Sequence, residues 1–355
     1  MTQFLRNAWY VAMWAENLAP EQLVPRTILG EPLVFFRAPD GTASAIEDRC
    51  PHRFAPLSRG RWLPSGRIQC GYHGLEIDGS GACVYNPHGN HHIPPAARIE
   101  SYPLVERDSL LWIWMGEREP DAAAIPDFSP FGHDVPALHV GWRDYINIKA
   151  GYRLVMDNLL DSSHVNYVHE GILGNEEMIA GRTTFVEEGS SVTVTRASEG
   201  VPVPGMYKPL FPNEDSCDKW VDTTWYPPSA IILKGGVQRL GASREDGTGI
   251  YGAHLVTPET ETTTHYHFSS SRWNVLTQGD DVNAGIRESL SQIRRFAFEE
   301  QDGPLIEAQQ RVVERLAKTG EVRPALLAVD VGSVRRERIL QALIAGEHAS
   351  IGEVR

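Results

Sequence analysis

Along its first third the chain returns repeatedly to short apolar or alternating runs, each closed by a turn signal. Leu33-Val34-Phe35-Phe36-Arg37 runs into Pro39-Asp40-Gly41, Ala43 to Glu47 leads to Cys50-Pro51, and Leu75-Glu76-Ile77-Asp78 precedes Gly79-Ser80-Gly81. Leu110-Leu111-Trp112-Ile113-Trp114 closes a region that extends from Trp9 to about Gly116. Successive side chains point to opposite faces of a strand, so such runs between Gly, Pro, Asn and Asp predict strands and hairpins. The expected product is a small all-β domain of antiparallel strands.

The pattern lapses from Glu117 to Pro136, where four prolines between 120 and 136 argue against regular structure. Glu119-Pro120-Asp121-Ala122-Ala123-Ala124-Ile125-Pro126 reads as a linker, which puts a boundary near residue 120 and divides the chain into 1–120 and 121–355. Beyond it, a helical stretch covers about Tyr152 to Val168. Alternating segments follow near Thr183–Thr195, Trp220–Lys234, Gly249–Leu255 and Thr263–Ser270, then helical stretches near Ala284–Glu300, Pro304–Thr319 and Gly332–Ala345. The fold expected of the second part is α+β, an antiparallel sheet with long helices packed on one face.

Composition narrows the classes. Over 355 residues, 22% charged and 41% hydrophobic, the chain reads as a soluble globular protein with enough apolar material for two cores. A formal net charge of −13 without any basic run disfavours nucleic-acid binding, which needs clustered Lys and Arg against phosphate. No apolar stretch approaches the roughly 20 residues of a membrane-spanning helix. The N-terminal Met1-Thr2-Gln3-Phe4-Leu5-Arg6-Asn7-Ala8-Trp9-Tyr10 lacks the charged start and apolar core of a secretory signal, so a cytoplasmic location is expected.

Cys50-Pro51-His52 is followed, after seventeen intervening residues, by Cys70-Gly71-Tyr72-His73. Each end offers one thiolate and one imidazole, the donor set of a Rieske [2Fe–2S] centre, in which one iron takes two cysteines and the other two histidines. A structural zinc site would group its cysteines as C-x₂₋₄-C and its histidines as H-x₃₋₅-H, whereas here they alternate. A Cys50–Cys70 disulfide lacks the oxidising compartment it needs. Two Cys/His pairs in loops rich in Gly, Pro and Arg also argue against histidines that are merely packed in a core. Cys83 and Cys217, far apart in sequence, read as buried apolar fillers. His88, His91 and His92 in Asn86-Pro87-His88-Gly89-Asn90-His91-His92 read as a polar surface loop, with no carboxylate or cysteine beside them.

A second concentration of metal-binding side chains lies in Asp157-Asn158-Leu159-Leu160-Asp161-Ser162-Ser163-His164-Val165-Asn166-Tyr167-Val168-His169. Two histidines and a carboxylate on one face of an iron leave positions open for oxygen, the facial arrangement of non-haem Fe(II) oxygenases. Residues five apart on a regular helix point about 140° from each other. His164 and His169 can therefore share a metal only if the helix ends or is distorted between them, for example by a π-bulge. Asp161 and His164 would face the same side, so that the Asp161 carboxylate could accept from the His164 ring nitrogen that does not bind metal. A third ligand must come from elsewhere, and Glu299, Glu300 and Asp302 are all candidates by spacing.

Cys50-Pro51-His52-Arg53-Phe54-Ala55-Pro56-Leu57-Ser58, Cys70-Gly71-Tyr72-His73-Gly74-Leu75, Asn86 to Asn90, Val105-Glu106-Arg107-Asp108, Asp157 to His169 and Thr257-Pro258-Glu259-Thr260 together resemble the Rieske non-haem iron oxygenases of aromatic acids, the family of dicamba monooxygenase and vanillate O-demethylase. The likeness runs from Asn7-Ala8-Trp9-Tyr10 to the C-terminal helices. It implies an N-terminal Rieske domain, a C-terminal sheet of the helix-grip type, a Rieske cluster on Cys50, His52, Cys70 and His73, and one mononuclear Fe(II) on His164, His169 and Asp302. Asn158 would lie beside that iron. The family's head-to-tail homotrimer implies that His73 of one subunit faces Asp161 of its neighbour as a bridge for electrons.

The resemblance also implies the reaction, O₂-dependent O-demethylation of a small methoxylated aromatic acid. Hydroxylation of the methyl carbon gives a hemiacetal that collapses to formaldehyde and a phenol. No G-x-G-x-x-G fingerprint at a strand-to-helix turn, as a nicotinamide or flavin site requires, is present, so electrons must come from a partner. By family likeness this is a flavin and iron–sulfur reductase using NADH or NADPH, acting directly or through a ferredoxin. His254 matches a substrate-contacting histidine, although a strand histidine packed in the sheet would look the same. Where the family has an asparagine for the substrate carboxylate, Leu233 or Lys234 stands here. Ring hydroxylation and non-catalytic electron carriage are the competing readings.

Overall fold

The structure, a computed structural model, describes residues 4–276, 279–320 and 324–352, with no side-chain description beyond 348. Met1 to Gln3, at the head of the stretch read for a secretory signal, lie outside it. The chain divides into two compact units, one of Arg6–Ile125 with Thr257–Thr260, the other containing Pro126–Val256 and the residues from Glu261 onward. No helix among the described residues is long and apolar enough to cross a membrane.

The first unit is built from short antiparallel strands, as their alternation predicts. Trp9–Trp14, Leu110–Trp114 and Leu104–Arg107 form one sheet, with Trp14 and Trp112 almost fully buried. Val24–Ile28, Glu31–Arg37, Ala43–Glu47 and Ser101–Tyr102 form a second. Arg61–Trp62, Ile68–Gln69, Glu76–Ile77 and Cys83–Tyr85 form a third, whose strands are only two or three residues long. So short a sheet cannot hold itself together. Val34, Phe36 and Ile46 of the second sheet share a buried cluster with Leu57, Ile68, Leu75 and Ile77. Cys50 and Cys70 are buried in that same cluster, so the apolar core that joins the sheets also fixes both cysteine loops.

The second unit centres on a seven-stranded antiparallel sheet in the order Asp144–Ile148, Thr264–Trp273, Thr248–Pro258, Ala230–Gln238, Ser216–Tyr226, Ser191–Pro202 and Arg182–Glu188. Six of the strands follow one another in sequence as a meander. The first, Asp144–Ile148, joins the edge beside the last, and its Asp-Tyr-Ile-Asn-Ile pattern is too short to stand out in the sequence. The alternating segment Thr183–Thr195 is two strands turning at Gly189 (φ 59°), and Trp220–Lys234 is likewise split between two strands. Helices α1 (Tyr152–Leu160), α2 (Asp280–Phe296), α3 (Gly303–Ala317) and α4 (Val331–Gly352) complete the unit.

Two helical expectations are corrected. The helix expected over Tyr152 to Val168 stops at Leu160, because Asp161 adopts an extended conformation (φ −94°, ψ 92°) and its carboxylate accepts from the Ser163 backbone N–H at 2.8 Å. This side-chain turn competes with the helix for the same backbone groups. His164 lies instead in a separate 3₁₀ turn, His164–Asn166. The π-distortion occurs elsewhere, at Ala297–Asp302, where it joins α2 to α3 without a break. Pro304, the second residue of α3, follows directly on the π-turn.

α2 is tied to the sheet by a buried cation. The Arg294 guanidinium donates to Asp144 Oδ2 (3.1 Å), to the Trp142 carbonyl (2.9 Å) and to Ser270 Oγ, and both members of the ion pair are buried. Replacing Arg294 by Leu removes the nearer of two arginines from the buried Asp144 carboxylate, leaving Arg295 at 4.0 Å. The expected cost is about 3–5 kcal/mol, to be read as a lowered denaturation midpoint for the C-terminal unit.

Candidate metal centres and substrate cavity

The two cysteine loops repeat one backbone pattern. Cys50 N–H donates to the Ala55 carbonyl and Phe54 N–H to the Cys50 carbonyl (2.8 and 2.9 Å). Cys70 N–H donates to the Leu75 carbonyl and Gly74 N–H to the Cys70 carbonyl (2.8 and 3.0 Å). The fifth residue of each turn is left-handed, Phe54 at φ 59° and Gly74 at φ 74°. Glycine accepts that conformation freely, whereas phenylalanine does so only under strain. The two turns bring like to like: the His52 and His73 rings pack edge to face with centroids 4.6 Å apart, and the Cys50 and Cys70 thiols are hydrogen-bonding neighbours.

That pairing of thiol with thiol and imidazole with imidazole is the division of ligands a Rieske cluster requires. Burial pushes the Cys50 thiol up to about 11. The backbone N–H groups of His52 and Arg53 pull the other way, as they would stabilise charge on that sulfur, while neighbouring Cys70 adds to the rise. Metal binding at this pair must therefore displace thiol protons. All four cysteines are free and buried, Cys83 and Cys217 included. The His88–His92 loop is exposed. It is not detached from the cluster turns, since His88 Nε2 lies 2.8 Å from the His73 carbonyl.

In the second unit, His164, His169 and Asp302 offer ligand atoms that all lie within 4.8 Å of one another. His169 Nε2 is 3.1 Å from Asp302 Oδ2, and His164 Nε2 is 3.7 Å from Asp302 Oδ1. The opposite ring nitrogens are engaged: His169 Nδ1 with Gln301 Oε1 at 2.8 Å, and His164 Nδ1 with the Asp161 carbonyl. Donation from Nδ1 to these acceptors leaves both Nε2 lone pairs directed at the carboxylate, which suits a shared metal. For His169, burial works against protonation, but the hydrogen bond and charge of Asp302 and the Gln301 contact outweigh it and raise the ring's pKa.

Chain geometry explains the convergence. The early end of α1 lets the loop after it present His164 and His169 with ring centroids 5.3 Å apart, and the π-turn brings buried Asp302 against both. Glu299 instead pairs with Arg295 at 2.9 Å and Glu300 is exposed. Asn158 Nδ2 donates to Asp302 Oδ1 at 3.3 Å. One expected contact is corrected: His164 is held by the backbone carbonyl of Asp161, since the carboxylate is occupied by Ser163 N–H. Gln301 escaped the sequence reading because nothing in a Glu-Glu-Gln-Asp run marks one amide as special. It grips His169 on one side and donates to the Val168 carbonyl on the other (2.7 Å).

Beside this cluster lies a cavity enclosing about 830 Å³ of atom-free space including its open mouth, lined mainly by apolar side chains such as Val165, Met206, Leu233 and Phe298. Ser162 and Val165 flank His164 in sequence, and Ala297 and Phe298 precede Asp302 on the π-turn, so the cavity reaches the metal-binding end. His254 is buried in its wall, with Nδ1 2.7 Å from the Tyr266 hydroxyl. Burial, assisted by the Arg294 charge, pushes the imidazole down to about 3. It is therefore neutral; if the Tyr266 hydroxyl donates to Nδ1, the ring's proton sits on Nε2. Gly252 makes room for it, since a Cβ there would come within 2.8 Å of His254 Nε2. Of the two residues standing at the expected asparagine, Leu233 lines the cavity; Lys234 is exposed and lies over the Tyr251 and Trp273 rings.

Two family models match the chain, the Rieske [2Fe–2S] domain over residues 8–103 and the vanillate O-demethylase oxygenase C-terminal domain over 148–346. The chain is 38% identical to the oxygenase component of dicamba O-demethylase from Stenotrophomonas maltophilia, across 96% of this chain and 98% of that protein. It is 35% identical to the oxygenase component of chloroacetanilide N-alkylformylase from Rhizorhabdus wittichii, across 97% of each. The crystal structure of dicamba monooxygenase with non-haem iron and dicamba superposes with a TM-score of 0.82 at 34% identity, covering 99% of this chain and all of that one. In a Gln301→Leu variant, loss of the grip on His169 is expected to weaken Fe(II) binding about 10–100-fold, measured by titration against a competing chelator.

Proposed function

This chain belongs to the Rieske non-haem iron oxygenases, and from that premise we propose that it removes a methyl group from a methoxylated aromatic acid by oxygenation, releasing formaldehyde. Its standing as an oxygenase component, an oxidoreductase of a multicomponent system carrying a [2Fe–2S] cluster and a mononuclear iron, follows from the family. The observation that supports the substrate reading is the mainly apolar cavity, which meets the His164–His169–Asp302 cluster at one end and carries a neutral histidine in its wall.

In this reading Cys50, His52, Cys70 and His73 hold the Rieske cluster, and His164, His169 and Asp302 hold the mononuclear iron. Together the two centres supply the electrons that activate O₂. Asn158 steadies the Asp302 carboxylate, Gln301 and the Asp161 carbonyl fix the two imidazoles, and the apolar wall excludes water from the reacting methyl group. His254 orients the substrate through Nε2–H. Electrons arrive from a flavin and iron–sulfur reductase that oxidises NADH or NADPH, directly or through a ferredoxin.

The active form is a head-to-tail homotrimer in which His73 faces Asp161 of the partner subunit. Two observations support this: His52 and Tyr72 are exposed at the tips of the cluster turns, Tyr72 by 66%, and the Asp161 side chain is only partly buried. A repeated heterologous contact closes into a ring when the rotation permits.

The decisive assay incubates the purified protein and a surrogate reductase with a panel of methoxybenzoates and measures formaldehyde. Stoichiometric formaldehyde and phenol are expected, and a cis-diol without formaldehyde would overturn the demethylase reading. Asp161→Asn should retain both metal centres and leave the reduced cluster unable to reoxidise when oxygen and substrate are added. Rapid reoxidation in that variant would exclude the bridging role.

A further inference from the structure

The cavity contains a cation for which the reaction as described has no use. Lys219 lies on the strand Ser216–Tyr226, two residues before Val221, so both side chains leave the same face of the strand and line the cavity. The residue is only 9% exposed, yet its amine has no hydrogen bond or ion pair among the described residues. The other basic groups of the wall are committed: Arg294 to Asp144, Ser270 and the Trp142 carbonyl, and His254 to Tyr266. No aspartate or glutamate among the described residues lines the cavity. Burial pushes the Lys219 amine down to about 8. The neighbouring Cys217 opposes that shift and the Arg196 charge adds to it.

A buried ammonium without a counter-charge is costly to a fold, so an unpaired one facing an apolar chamber points to a charge supplied from outside. Its position adds geometry. In the ladder Lys219 stands opposite Val237 and His254 opposite Ile231, six residues apart on the strand Ala230–Gln238. That separation is about 20 Å along the strand at 3.3 Å per residue. The metal-binding end is the His254 end, because Phe298 of the π-turn packs on the His254 ring at 5.6 Å. We infer that Lys219 is the anchor for an oxyanion on the substrate, a carboxylate or a sulfonate carried at the end of the molecule remote from the alkyl group that is oxidised. This inference rests on the demethylase reading for the identity of the oxidised group, and on the cavity alone for the charge.

The test is calorimetric titration of the holoenzyme with 4-methoxycinnamate, its sulfonate counterpart 4-methoxystyrenesulfonate, the neutral 4-methoxycinnamamide and the compact 2-methoxybenzoate, with formaldehyde measured in parallel. Loss of one charge-assisted contact in Lys219→Met should weaken binding of the remote anions by between about tenfold and a hundredfold. Lys219→Arg, which keeps the charge, should stay within about threefold of the parent protein. The amide and 2-methoxybenzoate should be affected less than about twofold, since neither brings an anion to Lys219. A residue with only a structural role would lower stability when replaced. Lys219→Met removes an unpaired buried charge and should unfold no earlier than the parent.

Equal binding of the remote acids by the parent and Lys219→Met would overturn the anchor, as would equal weakening of acid and amide, or failure of the parent to bind either remote anion. If only the carboxylate or only the sulfonate depends on Lys219, that result identifies the acid. Lys219-dependent binding without formaldehyde retains the anchor and rejects the demethylase reading. Formaldehyde release with binding indifferent to Lys219 does the reverse.

Discussion

One carboxylate stands between two imidazoles, and the second unit is arranged to make that possible. Asp302 is buried, and its two oxygens face the Nε2 atoms of His164 and His169. A buried carboxylate is tolerated only with its lone pairs engaged. Asn158 engages one oxygen and the histidines approach both, an arrangement that suits a metal held among the three side chains. Every departure from regular structure nearby serves it. α1 ends early so that the following turn can carry the histidines, and the connection between α2 and α3 takes up π geometry so that Asp302 can reach them. The sheet contributes the opposite wall, with Arg294 clamping α2 to it through Asp144.

The cluster turns in the first unit obey a different constraint. Two short loops must hold four ligands at fixed separation on strands too short to be stable alone, and they manage this by repetition. Both use the same pair of backbone hydrogen bonds and the same left-handed fifth residue, and both draw their cysteine into the common apolar core. The histidines are left at the surface side, where His52 is exposed and His73 half-buried. A cluster held by these residues would have its imidazole side toward the surface and its thiolate side shielded.

Much of this was legible in the amino acids. The alternating Cys-His, Cys-His spacing carried its chemistry openly, because ligand type and order restrict what can bind. The strand runs were legible as short apolar or alternating segments closed by turn residues. Helix ends were not: no proline or glycine lies between Leu160 and Glu170 to mark a stop, and the side-chain hydrogen bond to Ser163 shows that the backbone leaves the helix at Asp161. The choice of Asp302 over Glu299 depends on a backbone distortion that leaves no compositional mark. Gln301 and Lys219 were invisible for a related reason: an amide on a helix and a lysine in a strand become significant only when their neighbours are known.

The π-turn has a consequence for how the C-terminal helices could have arisen and how they can vary. A single surplus residue inside an otherwise continuous helix shifts everything after it by about 100° around the axis. α2 and α3 each bury their own faces, Ile286 and Leu290 in one and Ile306 and Gln310 in the other, and those faces are phased for a helix that contains the extra residue. Shortening the segment by one position would turn Asp302 away from the histidines and also swing the buried face of α3 out of its seat. The helix pair is therefore locked to the metal-binding geometry by arithmetic, so sequences descended from this one can change the amino acids of the turn far more easily than their number.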